Sequence, residues 1–344
     1  MRHQPASTGP DRDEFLRDAE AYRRELLAHC YRMVGSVHEA EDLVQETYLR
    51  AWRGWDAFEG RSSVRSWLYR IATNVCLTAL QHKGRRVLPS GLGAPGENPD
   101  MPLAVAAADT LWLQPFPDAV PGAQSDDPAE IVASRSGLRL ALVASLQYLP
   151  ARQRAILILR DVLAFPARDV AIMLDLTVAA VKSGLQRARA RLDEIAPIAD
   201  DIVEPDSPEA RAVLDRYITA FETADVHALT DLLRSDASLE MTPMSTWFSG
   251  KRTCAPFLSR HVLTSPDEYR LFATIANGQP AAVAYRREGS DQPYAPFAIS
   301  VLRTDASHIT GITVFTDPSL VVLFGYPDVP PSEDHELRDG AIPS

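Results

Sequence analysis

Lys182, Ser183, Gln186, Arg187 and Arg189 share one edge of the stretch VKSGLQRARARL, whose other edge carries Val181, Leu185, Ala188 and Leu192 at helical spacing. Long hydrogen-bond donors near the start of a helix reach base edges in a major groove, and arginines further along reach phosphates. The chemistry this pattern offers is recognition of duplex DNA. The competing reading of the same residues is an ordinary amphipathic helix with a solvated basic face.

Such an edge needs a frame, and the flanking residues supply one. Pro166 and Arg168 open a short helix bearing Val170, Ala171 and Leu174. Asp175 and Leu176 make a turn, and Thr177 is the expected N-cap of the helix that follows. Upstream, SLQYLPARQRAILILRDVL forms a further apolar helix begun by Pro150, so residues 128–195 read as a compact helix-turn-helix module.

Residues 13–86 read as a second all-helical domain. Tyr22, Leu26, Leu27, Cys30, Tyr31 and Val34 make one stripe. Ser36 and Glu39 form a capping box, after which Ala40, Leu43, Val44, Thr47, Tyr48, Ala51, Trp52 and Trp55 recur every three or four residues. The opposite face carries Glu41, Asp42, Gln45, Glu46, Arg50 and Arg53. After the loop DAFEGRSSV, a third helix from about Ser63 to His82 buries Leu68, Ile71, Ala72, Val75, Ala79 and Leu80, and runs into Lys83, Arg85 and Arg86.

A chain of 344 residues suits two or three domains. Its net charge of −11 argues at first against a polyanionic partner, but residues 1–200 carry a net of only −1 and residues 201–344 a net of −10. Three cysteines, Cys30, Cys76 and Cys254, lie far apart in sequence and form no CxxC pair, which points to a reducing compartment and no zinc ribbon. The start, MRHQPASTGPDRDEF, lacks the apolar core of a signal peptide, and no run reaches membrane-spanning length, so a cytoplasmic location is expected.

Residues 87–127, rich in Pro, Gly, Ala and Asp, are expected to be a flexible linker, although Leu111, Trp112, Leu113 and Phe116 within it call for something to dock against. A short junction at 196–208 precedes the last domain, and residues 327–344 read as a loose tail. Between them, residues 208–326 carry two amphipathic helices (208–223 and 226–234). Strand-like runs follow Met241, near 268–276, 281–288, 295–304 and 309–316, giving an α+β cone. Trp247, Phe248, Phe257, Phe272 and Tyr285 are its candidate pocket lining. His261, Asp236 and Glu240 are the titratable residues nearest it, with His261 read as a packed or surface residue and Asp236 as a turn residue. No Ser/His/Asp order, phosphate loop or metal-ligand spacing supports a specific reaction, so neither catalysis, cofactor nor metal is expected.

The strings AEDLVQETYLRAW, SWLYRIATNVCLTAL and VKSGLQRARARL, in this order, resemble a bacterial sigma factor of the sigma-70 family, in its extracytoplasmic-function (ECF) group. RRELLAHCYRMVGSVHEAEDLVQET and ANGQPAAVAYRR resemble the SigG-like subgroup, and residues 208–326 resemble SnoaL-like members of the nuclear-transport-factor-2 (NTF2) superfamily. The resemblance implies a multidomain fold: two all-α domains, the second a helix-turn-helix, and an α+β SnoaL-like cone. It implies that residues 13–86 are region 2, with Asp42, Gln45 and Glu46 binding RNA polymerase core. An acidic face suits a basic protein surface better than DNA. Arg61, Ser62, Ser63, Arg65, Trp67, Arg70 and Asn74 would then capture the melted −10 element, since they combine donors, charge and an aromatic ring near a loop. Residues 128–195 would be region 4, reading the −35 element with Lys182, Ser183 and Gln186 toward bases and Arg187 and Arg189 toward phosphates.

Two positions depart from the family pattern, Asp175 where a glycine is frequent and Arg168 where a glutamate is frequent. The implied function is promoter-specific transcription initiation with a regulatory cone, and the implied partners are polymerase core, promoter DNA, and an anti-sigma factor or small ligand at the cone. Two other classes stay open: a helix-turn-helix regulator that never binds polymerase, and a fusion whose cone is a small-molecule enzyme.

Overall fold

A computed structural model describes residues 21–81, 83–118, 138–195 and 204–331. Parts of the expected linker (119–127), of the junction (196–203) and of the tail (332–344), and residues 13–20 of the first helical domain, lie outside the described residues. The chain divides into two compact units, one of residues 21–85 with 141–195, the other of residues 86–118 and 138–140 with 204–331.

The first unit is all α. Helices α1 (Arg23–Val34), α2 (Val37–Gly54) and α3 (Val64–Ala79) form its first part. The Ser36 side chain accepts from the Glu39 amide and Ser63 caps α3 by accepting from Ser66, so both helix starts follow the side-chain capping chemistry. Then come α4 (Leu140–Leu146), α5 (Ala151–Leu157), whose end widens into a π-helical turn at Ile158–Val162, α6 (Ala167–Leu174) and α7 (Val178–Ile195).

The two helical parts are packed together, unlike the separate domains joined by a flexible linker that the sequence suggests. Arg154 of α5, almost fully buried, donates to the Met33 carbonyl at the end of α1, to Gln147 Oε1 (2.7 Å) and to the Gln147 and Leu149 carbonyls. Gln147 Nε2 in turn donates to the Arg32 carbonyl at 3.3 Å. One guanidinium thus satisfies the Met33 carbonyl at the end of α1 together with two carbonyls just after α4. Nearby, Cys30 and Cys76, remote in sequence, share the buried core, where a hydrogen bond to Cys30 and burial push the Cys76 thiol up.

The second unit is α+β. Helices α8 (Pro208–Glu222), α9 (Val226–Leu232) and α10 (Lys251–His261) cover a six-stranded sheet of order β2-β1-β6-β5-β4-β3. Its strands are β1 (Leu233–Thr242), β2 (Phe248–Ser249), β3 (Tyr269–Ala276), β4 (Gln279–Arg286), β5 (Ala295–Thr304) and β6 (Ile309–Phe315), and a short α11 (Pro318–Leu323) follows. All pairs are antiparallel except β1 with β6. The period-two pattern starts earlier than expected: β1 begins at Leu233, and Asp236, expected in a turn, sits within it, exposed and held by Arg234 at 2.6 Å.

Residues 86–118 are not the flexible tether that their composition suggests. They run along the sheet domain and trade backbone hydrogen bonds with it. Gly96 donates to the Trp247 carbonyl (2.7 Å), Ser245 to the Ala104 carbonyl (2.8 Å) and Ser90 to the Glu240 carboxylate (2.9 Å). Trp112 pairs with Val87, and Pro117 with Ala276 at the β3 edge. Leu113 and Phe116 are buried. The physical reason is that an extended Pro-rich strand can satisfy its polar backbone against a distant partner, which no local periodicity reveals.

Candidate nucleic-acid and polymerase interface

The α7 edge begins with a cap. Ala180 donates to Thr177 Oγ1 at 3.1 Å, as Thr177 was expected to provide. The turn before it is closed by Asp175 in the left-handed conformation (φ 54°), with its amide bonded to the Ala171 carbonyl. An aspartate tolerates that geometry better than most residues, which is how this chain manages without the glycine. Val181, Leu185 and Ala188 are buried, whereas Lys182, Ser183, Gln186, Arg187 and Arg189 are exposed along one side. Gly184 lets α7 press on α5: a Cβ there would come within 2.7 Å of Ile156 Cδ1.

The arginines of this edge are not equivalent. Arg187 bonds Ser183 one turn earlier. Arg189 makes a two-pronged ion pair with Asp161 at 2.7 and 2.8 Å, which holds its guanidinium pKa up. A phosphate contact by Arg189 has to compete with that carboxylate.

On α2, Asp42 and Gln45 are exposed, and Glu46 is half-buried with Arg50 at 2.7 Å. Two residues assigned no role from sequence join this face. Leu49 is 51% exposed, and Trp52, expected in the buried stripe, is 36% exposed. Asp42, Gln45, Leu49 and Trp52 follow one another at three- and four-residue steps, so the face combines acid, amide and apolar groups. The signal was available in the sequence: Leu49 falls outside the apolar stripe.

The loop and α3 hold the third set. Arg61 pairs with Glu59, Ser62 is exposed, and Ser63 is spent on capping. Arg65 donates to Glu25 (2.9 Å) and lies over the rings of Tyr69 and Phe165. Trp67 is half-buried in a cluster with Phe58 and Trp55, ring centroids 4.9 and 5.8 Å away. Arg70 is exposed, and Asn74 donates to the Arg70 carbonyl (2.9 Å) and to the Met173 carbonyl of α6 (3.4 Å). Of the basic residues after α3, Lys83 pairs with Glu39 and Arg85 lies 4.1 Å above the Tyr148 ring, while Arg86, which belongs to the second unit, donates to the Trp112 carbonyl.

The sequence model of Sigma-70 region 2 matches residues 19–86, and that of Sigma-70 region 4 matches residues 139–192. The chain is 47% identical to the ECF RNA polymerase sigma factor SigG of Mycobacterium tuberculosis, over 92% of this chain and 85% of that one. It belongs to the ECF sigma factors of the sigma-70 family. As an ECF sigma factor it directs RNA polymerase core to promoters and starts transcription. SigW of Bacillus subtilis is 29% identical over 53% of this chain and 88% of its own. The crystal structure of Mycobacterium tuberculosis SigJ superposes with a TM-score of 0.58 at 20% identity, covering 92% of this chain and 100% of that one. The likeness to SigJ is one of fold.

In that sheet domain the five expected pocket aromatics separate. Phe257 lines the internal cavity and Phe248 packs behind it, rings 4.8 Å apart. Trp247 Nε1 donates to the Gly93 carbonyl. Phe272 and Tyr285 pack on each other (5.7 Å) away from the cavity, and the Tyr285 hydroxyl donates to the Pro327 carbonyl. Strand alternation decides this, because Tyr269 and Leu271 of β3 and Ala284 and Arg286 of β4 take the inward positions. Glu240 is engaged by Ser90, and His261 does reach the cavity. Among the described residues no His/Cys/Asp/Glu group is arranged to hold a metal, and no helix is long and apolar enough to cross a membrane.

Proposed function

We propose that these three sets divide promoter recognition and polymerase binding among them. Lys182, Ser183 and Gln186 read −35 base edges while Arg187 and Arg189 hold phosphates. Arg61, Ser62, Arg65, Trp67, Arg70 and Asn74 hold the opened −10 strand, with Ser63 setting the start of α3. Asp42, Gln45 and Glu46, with Leu49 and Trp52, dock on polymerase core in the cytoplasm. The observation that carries this is the capped α7, which presents five donor-bearing side chains opposite a buried Val181–Ala188 seam.

The sheet domain regulates this activity through residues 86–118, which connect the two sigma regions in the chain and dock on the sheet domain. Catalysis by the cone finds less support. Of the three titratable candidates only His261 lines the cavity; Asp236 and Glu240 are each engaged elsewhere, and the acid at the cavity mouth, Asp100, is paired with Arg260. Run-off transcription with purified core tests the regulatory part, comparing the full chain with one ending at Ala199. A changed transcript yield from the same promoter supports it, and equal yields contradict it.

A further inference from the structure

Between α8, α10 and the inner face of the sheet lies a cavity of about 390 Å³, within the size range of small-molecule sites. Its walls are apolar: Leu239, Leu271, Phe297 and Ile312 from the sheet, Phe221 and Phe257 from the helices. Residues Asp100–Leu103, from the segment between the sigma regions, form part of its rim, and Arg260 at the end of α10 pairs with Asp100 there.

Two observations define what fits. The first concerns charge. The lining's carboxylate and guanidinium are both committed, Asp100 to Arg260 and Arg286 to Glu268 (2.9 Å), with Arg286 also lying over the Phe297 ring at 5.6 Å. His261, the other titratable residue of the lining, packs on the Phe257 ring at 5.2 Å, so a charged head seated at Ser300 would lose its water with no free carboxylate or guanidinium to pair with. The second concerns hydrogen bonding. Ser300, on β5, lines the cavity, and beside it stands Tyr217, fully buried, whose hydroxyl makes no well-formed hydrogen bond. Burial pushes the phenol pKa up, so Tyr217 stays a donor. If Tyr217 donates to Ser300 Oγ, the Ser300 proton is left for an acceptor inside the cavity.

We infer that this cavity is a binding site for an uncharged, mainly apolar small molecule whose hydrogen-bond acceptor seats on Ser300, with the Asp100–Leu103 segment closing over it. The consequence for transcription rests on the regulatory reading above; the binding does not.

The test is calorimetric titration of the full chain with three probes of one chain length: methyl heptyl ketone, nonanoate and nonylammonium. The ketone is expected to bind saturably with one-to-one stoichiometry, and both ions at least about tenfold more weakly, given the cost of burying an unpaired charge. Ser300→Ala and Tyr217→Phe are each expected to weaken ketone binding about three- to tenfold, the worth of one hydrogen bond. Ala298→Phe, which fills the cavity, should abolish binding; if that variant fails to fold, the two single-oxygen variants decide.

No saturable ketone binding, binding indifferent to both hydroxyls, or nonanoate binding as tightly as the ketone would each overturn the inference. Ketone binding with no change in run-off yield would leave the site standing and contradict a role for its occupancy in transcription.

Discussion

Asn74 of α3 donates its side-chain amide to the Met173 carbonyl of α6, 3.4 Å away, so the face assigned to the −10 strand touches the first helix of the helix-turn-helix. The Tyr69 and Phe165 rings meet edge to face nearby at 5.2 Å. On the proposed assignment, these surfaces in contact leave no room to hold −10 and −35 elements separated along a duplex. Binding to polymerase is therefore expected to part α3 from α6. Dyes on Thr78→Cys and Ile172→Cys, both exposed positions, should lose energy transfer when core is added, and the three native cysteines, all buried, should stay unlabelled. Unchanged transfer in a transcribing complex would contradict this.

The buried Arg154 fastens the same packing. Replacing it with alanine strands the Met33, Gln147 and Leu149 carbonyls, and the first unit should lose about 3 kcal/mol in urea unfolding. Arg154→Lys should recover little, since an ammonium cannot span those acceptors as a planar fork does.

His29 makes that unit sensitive to acid. Burial, and then the neighbouring Arg32 charge, lower its pKa to about 3, and Nε2 meets Thr73 Oγ1 at 2.9 Å. The unfolded chain takes up a proton near the usual histidine value while the folded one does not. Stability from His29 is complete above that value and is lost as pH falls toward 3. From pH 7 to pH 5 the loss should be about 2 kcal/mol, and His29→Gln should flatten that part of the profile in unfolding titrations.

The helix caps were legible in the sequence because they are local: Ser36 with Glu39, and Thr177 with Ala180, sit three residues apart. The strands of the sheet domain were legible after Met241 by alternation. What alternation leaves open is which parity faces inward, and that is why Phe272 and Tyr285 were expected in the pocket and instead pack behind it. Trp52 was placed in the core by spacing alone, since an apolar residue at the stripe's margin reads the same whether buried or presented to a partner. The docking of 86–118 and the bond from Arg154 to Met33 rest on contacts more than a hundred residues apart, beyond any local pattern.

Asn277 is such a long-range clasp. Held in the left-handed conformation (φ 57°), it accepts from Phe116 N (2.8 Å) and donates to the Leu138 carbonyl (2.6 Å), while Asp118 accepts from Gly278 N. Asn277→Gly keeps the backbone geometry and removes both side-chain bonds. Amide exchange at 112–118 should rise by at least about tenfold, for a loss of about 1–3 kcal/mol.

Trp52 should be an anchor for polymerase. A half-exposed tryptophan beside Leu49 and Gln45 has the makeup of a binding hot spot. Trp52→Ala should weaken core binding by about tenfold or more, while binding of the isolated chain to a −35 duplex is unchanged.

The most direct measurement is run-off transcription from a promoter library with purified polymerase core and the full chain, alongside Gln186→Ala. The account predicts promoter-specific transcripts whose −35 preference relaxes in the variant, with a loss worth about 1–3 kcal/mol at the base it reads. Duplex binding by the chain with no transcript from any fragment would contradict it.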